Sequence, residues 1–160
     1  MKSIASFTID HDKLLRGVYV SRKDSLGDKW LTTFDIRMKE PNREPVLDAP
    51  LLHTIEHLGA TWLRNNSSWG EEVVYFGPMG CRTGCYLILK GNLESGEIVQ
   101  LIREMFTFIA DYSDAIPGES SKECGNYLSH DLPMAAWEAK KFLLEVLANP
   151  GPANLEYPLS

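Results

Sequence analysis

Hydrophobic residues along this chain recur with two periods, about 2 and about 3.6, and the change from one to the other marks out the elements. Residues 17–23 and 29–38 are rich in β-branched and aromatic types, and Ser25-Leu26-Gly27-Asp28 between them supplies a glycine-containing turn, so a β-hairpin is predicted. Pro41, Asn42, Pro45 and Pro50 interrupt the pattern. At Asp48 an acceptor side chain followed by a first-turn proline announces a helix over 49–66. Its core stripe is Leu52, Ile55, Leu58, Trp62 and Leu63; His53, Glu56, His57, Ala60 and Arg64 fall on the other side. Residues 72–76 and 85–90 read as strands, joined through Gly77-Pro78-Met79-Gly80-Cys81-Arg82-Thr83-Gly84. A second helix, capped by Asn92 or Ser95, buries Ile98, Leu101, Ile102, Met105, Ile109 and Tyr112. After a loop at 116–126, a third helix starts near Asp131-Leu132-Pro133 and stops at Asn149-Pro150-Gly151, with Ala139, Phe142, Leu143 and Val146 inward. The order predicts an α+β fold, a largely antiparallel β-sheet packed against helices, as a single domain over 1–160.

Composition narrows the class. A chain of 160 residues that is 44% hydrophobic and 24% charged can build one core but not comfortably two. A net charge of −6 disfavours a phosphate backbone as partner, so nucleic-acid binding is not expected. No apolar run approaches the roughly 18 residues of a membrane span, and Met1 to Phe7 lacks the apolar stretch of a secretory signal, so a cytoplasmic protein is expected. The three cysteines, Cys81, Cys85 and Cys124, are an odd number, which rules out a full disulfide framework and turns attention to metal binding or thiol chemistry.

The sharpest local motif is His53-Thr54-Ile55-Glu56-His57. Histidines four apart on a helix project from one face and can converge on a cation, with a carboxylate in reach of its open position. A solvated helix face is the plainer alternative. A catalytic site of this kind wants a third protein ligand, for which Cys124, in a glycine-flanked loop, and Cys81 are the candidates. Cys85, beside Tyr86 and Leu87 in a strand, reads as packing. Cys81 lies in a glycine-rich turn next to Arg82, a setting for an acid–base or nucleophilic cysteine. The H-x-x-E-H order is also that of inverzincin peptidases, which would require Glu138 or Glu145 to turn toward the metal. A metal-sensing or zinc-storage module is a third reading.

Taken together, Ser6-Phe7, Asp10-His11, Phe34-Asp35-Ile36-Arg37, His53-Thr54-Ile55-Glu56-His57, Pro78-Met79-Gly80-Cys81-Arg82-Thr83-Gly84, Cys124-Gly125 and His130-Asp131-Leu132 stand in the order and spacing of one family. Over nearly its whole length the chain resembles the S-ribosylhomocysteine lyases, the LuxS proteins that make the precursor of autoinducer-2. The resemblance implies His53, His57 and Cys124 as metal ligands with water or substrate oxygen in the fourth position, Glu56 and Cys81 as general acid–base groups, and Ser6, His11 and Arg37 as residues that hold the ribose of S-ribosylhomocysteine. It implies Fe2+ as the metal, with Zn2+ or Co2+ able to substitute, and a homodimer with active sites at the interface. Many members carry an acidic residue shortly before the Pro-Met-Gly-Cys segment; Val73-Val74-Tyr75-Phe76-Gly77 offers none here. Arg64, on the arc of the histidines, is a candidate for the homocysteine carboxylate, against the plainer role of a solvated arginine. His130 is given no catalytic role; it precedes Asp131, the expected helix cap.

Overall fold

The computed structural model describes residues 8–66 and 68–158. Strand β1 (Gly17–Leu26) pairs antiparallel with β2 (Lys29–Arg37), and the register from Gly17↔Arg37 to Leu26↔Lys29 leaves Gly27-Asp28 as a two-residue turn. β1 therefore runs past Lys23, where the β-rich pattern ends, helped by a bulge between Val20 and Arg22. Strands β3 (Val73–Pro78) and β4 (Gly84–Lys90) complete an antiparallel sheet of order β1-β2-β4-β3.

Alternation along the strands gives the sheet two unlike faces. One carries Val18, Phe34, Ile36, Phe76, Cys85, Leu87 and Leu89, all buried in the core. Phe34, Leu87 and Phe76 stand in a cross-strand row, so each apolar side chain meets another. On the other face the row is Tyr19, Asp35 and Tyr86, and the C-terminal Tyr157 stacks on Tyr19 with ring centroids 4.8 Å apart.

Helix α1 (Ala49–Asn66) has the bounds its pattern predicts, and Leu52, Ile55, Leu58, Trp62 and Leu63 are all buried. It lies close on β3 at Gly59, where a Cβ would stand 2.5 Å from Phe76 Cε1; only glycine allows that approach. Helix α2 (Ser95–Asp111) buries Ile98, Ile102, Met105 and Ile109 completely, each such side chain worth about 1.5–3 kcal/mol of transfer free energy. Its N-cap is Glu94, and neither Asn92 nor Ser95 caps it: Ser95 is already helical, and Glu97 reaches back to accept from the Glu94 N–H at 2.7 Å. Helix α3 (Leu132–Phe142) begins as expected, with Asp131 accepting from the Met134 N–H at 3.0 Å.

The predicted continuation of α3 as an α-helix to 149 is not what the chain adopts. Leu143–Leu147 form a π turn, closed by the Ala148 N–H on Leu143 O at 2.9 Å. Arg103 of α2 donates to Leu147 O from Nε and Nη2 at 3.0 and 2.8 Å, occupying a carbonyl that the wider turn frees. α3 packs on α1 and α2, with Phe106 and Phe142 edge to face at 5.1 Å. Among the described residues no helix is long and apolar enough to cross a membrane.

Candidate functional site

The polar stripe of α1 is not a solvated face. His53, Glu56 and His57 are half-buried, and two loops close over the histidines. His53 Nδ1 donates to Ser129 O at 2.8 Å and His57 Nδ1 to Pro117 O at 2.7 Å, which leaves each Nε2 with a lone pair for a cation. The second contact depends on Gly118, whose φ of +75° turns the chain and whose missing Cβ would otherwise lie 3.3 Å from His57 Nδ1. Cys124 is held by its N–H on Ser120 O at 2.9 Å, and its Sγ stands 3.4 Å from His53 Nε2.

A fourth residue joins them. The ligand atoms of His53, His57, Cys124 and His130 all lie within 4.8 Å of one another. The His130 ring stacks on His53 at 4.2 Å and meets His57 edge-on at 4.8 Å. Burial, then the imidazoles of His53 and His57, hold the His130 pKa below its ordinary value. Imidazole nitrogens and a cysteine thiolate are donors that suit Fe2+, Zn2+ and Co2+, and among the described residues His130 Nε2 is a buried polar side-chain atom left without a hydrogen-bond partner. The donor set therefore fits a transition-metal ion.

The cluster opens on a cleft of about 260 Å³ with Leu52, His53 and Glu56 of α1 on one wall and Pro78, Met79, Gly80 and Arg82 on the other. Cys81, exposed, sits between Gly80 and Arg82 in the turn that carries that second wall. Its Sγ is 3.0 Å from Thr83 Oγ1 and takes an N–H from Arg37 at 3.7 Å, so the guanidinium that reaches the thiol is that of Arg37 and not of its sequence neighbour Arg82. Arg37 is itself buried. Nη2 and Nε donate to the Asp35 carboxylate at 2.5 and 3.1 Å, and Nη1 donates to Thr83 Oγ1 at 2.6 Å. Burial works against the Arg37 charge, but Asp35 beside it outweighs that and raises the pKa further. Cys85 lies fully buried in the core, where desolvation, then the Glu56 carboxylate, push its thiol well above the ordinary range; packing is its role.

The remaining candidates fall elsewhere. His11 is the one of the four histidines outside the cluster, with Nδ1 2.9 Å from Ile9 O. Arg64 is exposed and donates to Ala60 O of its own helix at 3.3 Å. Ser6 lies outside the described residues. The peptidase arrangement is not formed: Glu138 pairs with Lys39 at 2.8 Å and Glu145 with Arg16 at 2.6 Å, so the carboxylates it needs are committed away from the histidines. His130 is the member of the cluster that sequence reasoning passed over; its place beside the Asp131 cap concealed it.

An α+β framework that gathers three histidines and a cysteine, beside a cleft whose second wall is a turn holding another cysteine, defines a protein with a candidate metal site. The LuxS family model, described as S-ribosylhomocysteinase, matches residues 4–151, and the chain belongs to that family. It is 61% identical over 158 residues to the S-ribosylhomocysteine lyase of Phocaeicola vulgatus, covering 99% of this chain and 98% of that protein. Proteins of the same name from Desulfotalea psychrophila and Borreliella afzelii are each 56% identical over 158 residues, covering 99% of this chain and 99% and 100% of theirs.

Proposed function

We propose that this protein is a metal-dependent lyase that cleaves S-ribosylhomocysteine to homocysteine and 4,5-dihydroxy-2,3-pentanedione. Residues 1–160 act as one domain, in a cytoplasmic homodimer. The observation that carries this reading is the cleft: His53 of the donor cluster and Glu56 on one wall and the turn that holds Cys81 on the other, in a chain of the LuxS family. An exposed apolar cleft lined by Leu26, Trp30 and Val74 supports association with a second copy. His11 stands outside its own chain's cluster, so the reading has it serve a site across that interface; the part of Ser6 and Arg37 in holding the ribose rests on the family resemblance, and Arg37 would act there from a position already fixed by Asp35 and Thr83.

The substrate explains the residue types. Its thioether sits on a sugar carbon with no acidic proton beside it, so homocysteine cannot leave until the carbonyl has moved. His53, His57 and Cys124 would hold a divalent ion, Fe2+ with Zn2+ or Co2+ able to replace it, which would supply Lewis-acid polarisation of the sugar oxygens and so acidify the adjacent C–H. Cys81 Sγ takes the proton from the carbon beside the carbonyl and returns it to the former carbonyl carbon, while the hydroxyl proton passes to the old carbonyl oxygen, so that two such shifts move the carbonyl from the first carbon to the second and then to the third. Arg37 and Thr83 hold that sulfur in place. The thioether is now β to a ketone. The Glu56 carboxylate removes the proton of the fourth carbon, the C–S bond breaks, and its electron pair leaves on sulfur, which is protonated to the homocysteine thiol. The remaining enol tautomerises to the pentanedione. All atoms of the substrate are found in the two products, so neither water nor an oxidant is consumed.

Cys81→Ala and Glu56→Gln test the assignment. Each is expected to slow thiol release from S-ribosylhomocysteine by about 100-fold or more, the scale of a lost acid–base group, while the metal content stays that of the parent protein. Near-parental turnover in either variant contradicts the role given to that residue.

A further inference from the structure

The hydroxyl of Thr83 stands between a group that can only donate and a sulfur that can do either. Arg37 Nη1 donates to Thr83 Oγ1 at 2.6 Å, which occupies one lone pair of that oxygen. The other neighbour is Cys81 Sγ at 3.0 Å, a contact in which either atom could carry the proton. Two features fix its direction. Thr83 is buried, and among the described residues Cys81 Sγ is the one acceptor within hydrogen-bond distance of its hydroxyl, so a thiol that donated to Oγ1 would leave the Thr83 proton unpaired away from water. Arg37 Nη1, which has two N–H groups, also reaches the sulfur at 3.7 Å, and there Sγ must accept. The proton of Thr83 therefore points at sulfur.

Thr83 keeps this position without help from Cys81. Its carbonyl accepts from the Met38 and Lys39 N–H groups at 2.9 and 3.0 Å, and the next residue, Gly84, lies so close to β2 that a Cβ would stand 2.0 Å from Ile36 O. Arg82, at a φ of +58°, turns the chain between Cys81 and Thr83. We propose that Thr83 is a positioning residue, whose hydroxyl donates to Cys81 Sγ and favours the thiolate that the reaction begins from. Hydrogen bonds to an ionised partner are the strong ones, so the donation is worth more to a thiolate than to a thiol. The inference rests on the acid–base role given to Cys81 above and deepens it.

The test compares the full, metal-loaded chain with Thr83→Val, which keeps the branched shape and loses the hydroxyl, with Thr83→Ala and with Thr83→Ser, which keeps the hydroxyl. Alkylation of Cys81 by iodoacetamide is followed from about pH 5 to about pH 9, around the thiol range, by mass of the labelled peptide, and homocysteine release is measured on the same samples. A thiolate that loses a donor forms less readily but is the stronger nucleophile once formed. Thr83→Val and Thr83→Ala are therefore expected to react about threefold or more slower than the parent at the acid end and to overtake it at the alkaline end, with Thr83→Ser within about twofold of the parent throughout. In the two variants without a hydroxyl, kcat for homocysteine release falls about tenfold while KM stays near the parent's. Alkylation profiles of Thr83→Val and Thr83→Ala that run parallel to the parent's, or a Thr83→Ser profile that changes as theirs do, overturn the role of Thr83. Crossing profiles in a parent that releases no homocysteine sustain that role and contradict the lyase reading instead.

Discussion

The Asp35–Arg37 network on the sheet and the histidine cluster on α1 are both polar and both withdrawn from water, yet only the first is saturated. Asp35 accepts from Arg37 Nε and Nη2 and from Tyr157 Oη at 2.8 Å, and Arg37 spends its remaining contacts on Thr83 and Cys81. In the cluster, each Nδ1 is engaged while the Nε2 of His130 has no partner. A group whose hydrogen bonds are all made within the chain holds a position; a buried one with capacity to spare is built to receive something else. On the proposed reading, the network seats Cys81 and the cluster is the place for a metal ion.

The contrast can be broken from either side. Removing a ligand has the largest effect: Cys124→Ala is expected to lower metal retention by more than the roughly 10–100-fold that loss of an outer partner costs, as read by metal analysis after dialysis against chelator. Metal-free stability should barely change. Asp35→Asn should do the reverse, sparing metal content but costing about 3–5 kcal/mol in denaturant unfolding, because it strands the buried Arg37 charge. Tyr157→Phe removes one hydrogen bond to that carboxylate and should cost about 1.5–3 kcal/mol.

The most gradual effect is on alkaline stability. Burial raises the pKa of Tyr19 and Tyr157, with Asp35 adding to it, and burial followed by Glu56 raises that of Cys85. Because the fold favours their neutral forms, their contribution is complete below the ordinary values, 9.0 for the thiol and 10.0 for the phenols, and is lost as pH climbs toward the folded ones. Unfolding free energy should therefore decline above about pH 9, by up to about 1.4 kcal/mol per pH unit for each group. A flat profile to pH 11 would contradict their burial.

What was legible in the sequence follows the same division. Helix α1 could be read to its ends because its stripe of Leu52, Ile55, Leu58 and Leu63 is local and periodic, and His53 and His57 share a face by helical geometry alone. Long-range partners could not be read that way. Arg82 sits beside Cys81 in sequence, but β2 and β4 pair so that Arg37 lies opposite Gly84, near the Cys81 turn, and it is this register that brings its guanidinium to the sulfur. His130 looked like a residue before a helix cap; only the packing of α3 on α1 brings it to His53. The Glu94 cap and the π turn at Leu143–Leu147 likewise depend on side chains, Glu97 and Arg103, that no hydrophobic period announces.

The central claim is that the metal at His53, His57 and Cys124 and the thiol of Cys81 make one reaction centre. Its most direct test is to purify the parent protein and Cys81→Ala without oxygen and to measure, on each sample, bound metal and homocysteine released from S-ribosylhomocysteine. The account predicts equal metal in both, thiol release by the parent that disappears with chelation, and none above background from Cys81→Ala. Thiol release that persists in the metal-free parent, or its absence from a fully metal-loaded parent, would contradict it.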